Sequence, residues 1–367
     1  MAKKLVITGT SAMQAWDEGV GAYARPTRVR SSAQFATTAA ELAEFTTLPQ
    51  GCTQPVEILV GDAANRTRTA RWHANLRQSP LPAGELYDIG GDRLLTSPGL
   101  FFLQTAPKLT FVQAVLLGME LCGYHSTLMS APYRAYCDEV RCEQGALLTN
   151  PWPPTEWDMS LDHQRELMEL GFVIRAPLTD AGSLFEFAQR IYAEHSRSRA
   201  VAAARYVAGK SRSPMESRLY IRYCLPRRYG SLGLVPVELN REFKLSAEIA
   251  QATGITDYSV DLYWPKGGIA IEYQGKQVHA GLSAEEKDRL KRNILETTGV
   301  RIISVDSTQF ANEDVLSLYG NEIAKSMGIA AWKLKPRKGE QAKRNALSDE
   351  LRMWDADLYR PKAGARR

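Results

Sequence analysis

The residues best placed to do chemistry lie between Thr256 and Lys276. Two runs rich in strand formers flank Pro265-Lys-Gly-Gly268, which is strong turn chemistry and predicts a hairpin. With the loop at Pro265–Gly268, Trp264 faces Ile269, and counting outward sets Asp261 directly opposite Glu272. Opposed strand side chains stand about 4.5–5.5 Å apart at Cβ. Two carboxylates that close repel one another unless a cation sits between them. A divalent metal resolves the conflict, because Mg²⁺ takes one or two carboxylates and fills its shell with water and phosphate oxygens. Alternation puts Glu272, Gln274 and, if the strand continues past Gly275, Lys276 on one face, with Ile269, Ile271 and Tyr273 on the other. The alternative reading is an ordinary polar outer face, with both acids merely in solvent.

The elements that must position these groups are legible around them. Ser213-Pro-Met-Glu216 reads as a helix start, with Ser213 as cap, Pro214 at the first position and Glu216 at the third. Glu216 is therefore either a further acid of the site or simply part of a capping box. Ser283-Ala-Glu-Glu286 repeats the signature and opens a charged helix to Thr298, with Leu290, Ile294 and Leu295 as its apolar stripe and Arg289, Lys291 and Arg292 clustered on it. Val300–Val305 reads as a strand, so the predicted order is helix, strand, strand, helix, strand.

Ser-Pro-Met-Glu216, Asp261-Leu-Tyr-Trp-Pro, Ile271-Glu-Tyr-Gln-Gly-Lys-Gln-Val-His279, Asp288-Arg289 and Leu295 together resemble a branch of the PD-(D/E)xK nuclease superfamily. That branch is related to very-short-patch-repair endonucleases and includes small domains often found near abortive-infection antitoxins. The resemblance covers roughly residues 213–310. Upstream, Ser97-Pro98 and Glu120-Leu-Cys-Gly123 are similar to an accessory region of bacterial proteins bearing this domain. The resemblance implies a restriction-endonuclease-like fold, a mixed central sheet flanked by helices. It also implies Mg²⁺ or Mn²⁺ held by Asp261 and Glu272 with support from Glu216. The motif's lysine position is Gln274 here, an amide that can orient water but carries no charge, with Lys276 two residues on as a compensating cation. His279 matches a recurrent histidine of the branch, as a phosphate or proton-transfer contact or as a structural residue.

The expected activity is that of a metal-dependent DNA endonuclease in a bacterial or phage-defence setting, with RNA left open as substrate. His279, Arg289, Lys291 and Arg292 would contact the backbone. Because many such nucleases cut two strands with two sites, a homodimer or larger complex is expected. The competing reading, which the neutral Gln274 favours, is a non-catalytic nucleic-acid-binding regulator or complex subunit on a nuclease fold.

Composition sets the bounds. The 367 residues, 44% hydrophobic and 24% charged, suit an ordinary globular protein of two or more domains. We read an α/β chain: an α+β accessory domain at 1–150, a linker and helical connector at 151–212, the nuclease-like domain at 213–330 and a basic tail at 331–367. Within the first, Glu57–Val60, Leu86–Ile89 and Arg93–Thr96 read as strands and Ser97-Pro98 opens an apolar helix running to Gly123. Asn150-Pro-Trp-Pro-Pro154 reads as a connector, and residues 182–207 as helical with Ser183 as cap. From Trp332 to Arg367 eleven basic residues face five acids, so the net charge of +5 is concentrated in the tail. A second cluster runs from Arg205 to Arg228. Such concentrations are the footprint of a polyanion partner, or of a solvated tail. The five cysteines are scattered, and Cys137 and Cys142 lack the partners of a zinc site, which fits a reducing compartment. No apolar run reaches membrane-spanning length, and the chain is expected to be cytoplasmic with no membrane partner.

Overall fold

Short apolar runs separated by turn residues pair here into two mixed sheets, each in its own compact unit. The structure, a computed structural model, describes residues 4–17, 27–28, 38–48, 52–77, 81, 84–127, 172–191, 197–274, 293–294, 299–330 and 333–352. One unit comprises residues 1–207 with 355–367, the other 208–354. Several expectations fall outside the described residues: the connector at Asn150–Pro154, Cys137, Cys142, Lys276, His279, and Arg289, Lys291 and Arg292.

In the first unit, strands Leu5–Ile7 (β1), Thr27–Arg28 (β2), Val56–Val60 (β3), Trp72–Leu76 (β4), Leu86–Gly90 (β5) and Arg93–Thr96 (β6) make a sheet in the order β2-β5-β6-β1-β3-β4. β1 runs parallel to β6 and β3 to β4, while the other neighbours are antiparallel. Every residue of β1 and β3 is buried, so the centre of this sheet is covered on both faces. The helices are Gly9–Asp17 (α1), Ala39–Ala43 (α2), Pro98–Thr105 (α3), Phe111–Leu121 (α4), Ala181–Arg190 (α5) and Arg197–Ala204 (α6). The single helix expected from Pro98 to Gly123 is two, because a 3₁₀ turn at Ala106–Lys108 breaks it. Thr110 then caps α4 through a reciprocal box with Gln113. α5 is capped by Asp180 rather than by the expected Ser183, whose N–H and hydroxyl both donate to the Asp180 carboxylate. A further pair, His125–Ser126 (β7) with Val173–Ile174 (β8), lies apart from the main sheet.

The second unit is built on Glu238–Lys244 (β9), Asp257–Trp264 (β10), Ile269–Gln274 (β11) and Arg301–Asp306 (β12), in the order β12-β11-β10-β9. β11 and β12 are parallel and the remaining pairs antiparallel. The hairpin register is the expected one, with Trp264 opposite Ile269 and Leu262 opposite Ile271. Gly268 closes the turn at φ +56°, a left-handed position that favours glycine. Pro214–Cys224 (α7) packs against this sheet through Tyr223, whose ring meets Trp264 edge-on at 6.1 Å. Trp264 is fully buried and donates its indole N–H to the Leu234 carbonyl at 2.8 Å. After β9 comes a short helix, Ala247–Thr253 (α8), and after β12 come Ser307–Phe310 (α9), Glu313–Ser326 (α10) and Glu340–Arg352 (α11). The strand β9 and helix α8 were absent from the predicted order.

α11 lies within the stretch that composition reads as a basic tail. Its Leu347 and Leu351 are buried, and Arg344 is buried and donates to the Leu334 carbonyl. Two arginines of the second basic cluster are also spent inside this unit. Arg222, fully buried, pairs with Glu313, and Arg227 pairs with Glu340 at 2.5 Å while donating to the carbonyls of Lys333 and Lys335. Neither is therefore presented to a polyanion, a correction to the reading of the Arg205–Arg228 cluster as a whole. Among the described residues no helix is long and apolar enough to cross a membrane.

Candidate active site

The site is assembled where the start of α7 meets the middle of β9, β10 and β11. Ser213 caps α7 by accepting the Glu216 N–H, as its position predicts. The reciprocal half of a capping box does not form. The Glu216 carboxylate instead accepts the Arg212 N–H at 2.8 Å and the Asn240 side-chain amide at 2.6 Å, and only 5% of the residue is exposed. Asn240 also donates to the Lys210 carbonyl, so β9, missed in the sequence, fastens the acid of α7 to the sheet.

A local irregularity in β10 aims Asp261. The ladder with β9 pairs Val260 with Arg241 and Leu262 with Leu239, while the intervening Asn240 has φ +47°. Val260 and Tyr263, three residues apart, belong to one apolar cluster with Ala270 and Val300. Regular two-residue alternation cannot bring them to the same face, so it is interrupted between them. Asp261 turns toward β11, where Oδ2 accepts the Tyr273 N–H at 2.7 Å. Counting on from Leu262 and Ile271 leaves Asp261 across from Glu272, but its carboxylate is engaged with the neighbouring backbone. Glu272 is half-buried and accepts the Tyr258 hydroxyl at Oε1. Ser304 stands beside it in the parallel ladder, its Oγ buried without a hydrogen-bond partner among the described residues.

The electrostatics follow from this crowding. Burial raises Glu216 above the ordinary carboxylate range, against the pull of the Arg212 N–H, Asn240, Ser213 and the Arg212 charge. Asp261 is raised well above it, first by desolvation and next by the Glu216 charge. The Tyr273 N–H opposes that rise and Glu272 adds to it, with the Arg212 charge in opposition. The stronger carboxylate neighbour of Asp261 is thus Glu216, where the hairpin alone suggested Glu272. Three carboxylates and one guanidinium share the region, a formal charge of −2 when all are ionised.

These residues fit a hard divalent cation in their chemistry: oxygen donors, excess negative charge, and an unsatisfied hydroxyl at Ser304 next to Glu272. They do not form a complete cage, since no three His, Cys, Asp or Glu side chains among the described residues group closely enough to hold an ion by themselves. Such a cation would need water or substrate oxygens for most of its shell, as Mg²⁺ usually does.

Gln274, which the resemblance sets at the motif's lysine position, is exposed at the end of β11, opposite Asp306. Asp306 is committed to capping α9. Four residues that sequence reasoning missed take part in this arrangement: Arg212, Asn240, Tyr258 and Ser304. Only Arg212 carried a signal, as one member of a basic cluster. No family model, curated protein or solved structure matches the chain.

Proposed function

We propose that the unit spanning residues 208–354 is a metal-dependent DNA endonuclease of the PD-(D/E)xK type. One observation carries the reading. The start of α7 and the adjacent strands β10 and β11 set Glu216, Asp261 and Glu272 within electrostatic reach of one another, short of a three-ligand cage, and burial with mutual repulsion raises the proton affinity of Asp261. A fold under selection for stability alone gains nothing from such an arrangement. A divalent cation held by Asp261 and Glu272 would supply Lewis-acid polarisation of a phosphodiester. The chain's own residues have definite parts. The Tyr273 N–H fixes Asp261, Tyr258 fixes Glu272, and Asn240 with the Arg212 N–H fixes Glu216. Glu216 can accept a proton near the reacting phosphate, and Gln274 can orient a water through its exposed amide.

Calorimetric titration of Mn²⁺ into the protein, D261A and E272A tests this reading. Binding in the wild type and its loss in both variants is the expected result; equal binding in all three would remove these residues from the metal site. The neutral, exposed Gln274 favours a second reading, a nucleic-acid-binding regulator or subunit on the same fold. In that case DNA binds while Mn²⁺ does not.

A further inference from the structure

A phosphoryl-transfer site needs a positive group against the phosphate, and the strand position for it holds an uncharged amide at Gln274. The described residues offer a replacement at the mouth of α7. Arg212 lies immediately before the cap, and its own N–H binds the Glu216 carboxylate. Its guanidinium reaches across the β9–β10 pair, donating from Nη1 to Ser259 Oγ at 2.9 Å and from Nη2 to Glu242 Oε1 at 3.4 Å. Ser259 and Glu242 are ladder partners, so the two acceptors stand side by side.

The two ends of this fork are held unequally. Ser259 is half-buried and its bond is of ordinary length. The Glu242 side chain is 63% exposed and its bond is long. An exposed ion pair of that geometry is worth little, because water screens it and the side chains must be immobilised. A phosphodiester oxygen offers a stronger, charge-assisted partner, and the planar guanidinium can keep Ser259 while exchanging Glu242 for it. The neighbouring arginines are less suited. Arg222 and Arg227 are tied to Glu313 and Glu340, and Arg218 is half-buried, with Nη1 on Met215 Sδ.

We propose that Arg212 forms a phosphate subsite: Glu242 holds its guanidinium in the free protein, and a backbone phosphate of the nucleic acid takes that place on binding. The proposal rests on the nuclease reading for its consequence in cleavage, but its binding arm stands apart from metal chemistry. Glu242 then acts as an internal stand-in for the substrate anion.

The test is anisotropy of a labelled DNA duplex with full-length wild type, R212A, R212K and E242Q, in EDTA across a salt series, alongside Mn²⁺-dependent cleavage. Each phosphate contact contributes about 0.9 to the slope of log affinity against log salt. R212A is expected to lower the slope by that amount and to slow cleavage about 100-fold. R212K should retain the slope yet cleave poorly, since an ammonium cannot hold Ser259 and phosphate as a fork. E242Q, at an exposed position that leaves the fold intact, should tighten binding. A wild-type slope in folded R212A, or unchanged affinity in E242Q, would overturn the subsite. If the wild type binds DNA but never cleaves while R212A loses the slope, the subsite stands and the nuclease reading falls. If the wild type does not bind DNA, both fall.

Discussion

Asp261 accepts the backbone N–H of Tyr273 at 2.7 Å, so one oxygen of the central acid is occupied by the adjacent strand. A buried backbone donor is costly to leave unpaired, and the bond therefore fixes which way the carboxylate points. Asparagine preserves an acceptor there without the charge. D261N is accordingly expected to fold with a melting temperature equal to or above the wild type, while losing Mn²⁺ affinity. D261A removes the acceptor too, and should cost about 1–3 kcal/mol in denaturant unfolding.

The raised carboxylates make the metal-free protein sensitive to pH. Glu216 and Asp261 bind protons more tightly folded than unfolded, so the folded state holds more protons. By linkage, the contribution of these two groups to stability is fully present below the unfolded carboxylate value and is lost as pH rises from there through the raised folded values. Asp88, Asp180 and Glu340 are held low and act in the opposite direction in both proteins, so the expected result is a chelator-treated stability advantage of wild type over D261N that declines across this window. A profile equally steep in D261N would remove Asp261 as its source.

In the first unit, Gly9 is fixed by close approach as well as by backbone geometry. A Cβ there would stand 2.0 Å from Glu57 Oε2, and its φ is +59°. Glu57 meanwhile accepts the Thr10 N–H at 2.5 Å at the start of α1. G9A is expected to destabilise by about 2 kcal/mol or more, and G9A/E57A by less than the sum of the single changes. Chemical denaturation of the four proteins checks this, and simple additivity would contradict it.

The docking of α11 depends on a buried charge. Arg222 is fully buried and pairs with Glu313, to which Ser348 of α11 also donates at 2.5 Å. Removing the carboxylate leaves the guanidinium enclosed without its counter-charge. E313A should cost about 3–5 kcal/mol, and R222M/E313A should recover a large part of it.

The hairpin was legible because its turn residues act locally: Gly268 takes the left-handed conformation and the strands leave from it in register. Glu216 was legible as a helix start, since Ser213 and Pro214 are local signals as well. β9 was not. Glu238-Leu-Asn-Arg-Glu-Phe-Lys244 has few apolar residues, as suits the edge of this sheet, and its contribution depends on the unusual φ of Asn240. Periodicity carries no trace of a left-handed asparagine reaching across to another element. The direction of Asp261 was hidden for the same reason, because interrupted alternation is a property of the paired strands rather than of either sequence. The basic cluster misled in part, since charge counts cannot tell Arg222, buried against Glu313, from Arg212 at the site. In the first unit β5 and β6, expected as strands, flank Gly90-Gly91, a local turn signal, whereas the three-residue β1 was not among the expected strands.

Incubation of the purified protein with supercoiled plasmid and linear DNA in Mg²⁺, Mn²⁺ or EDTA, beside D261N, decides whether the proposed site cleaves. Nicking or cutting that requires the metal and disappears in D261N, while DNA binding persists, is the expected result. Intact DNA under every metal condition, from folded wild-type protein that still binds it, would contradict the nuclease assignment and leave the regulator or subunit reading in its place.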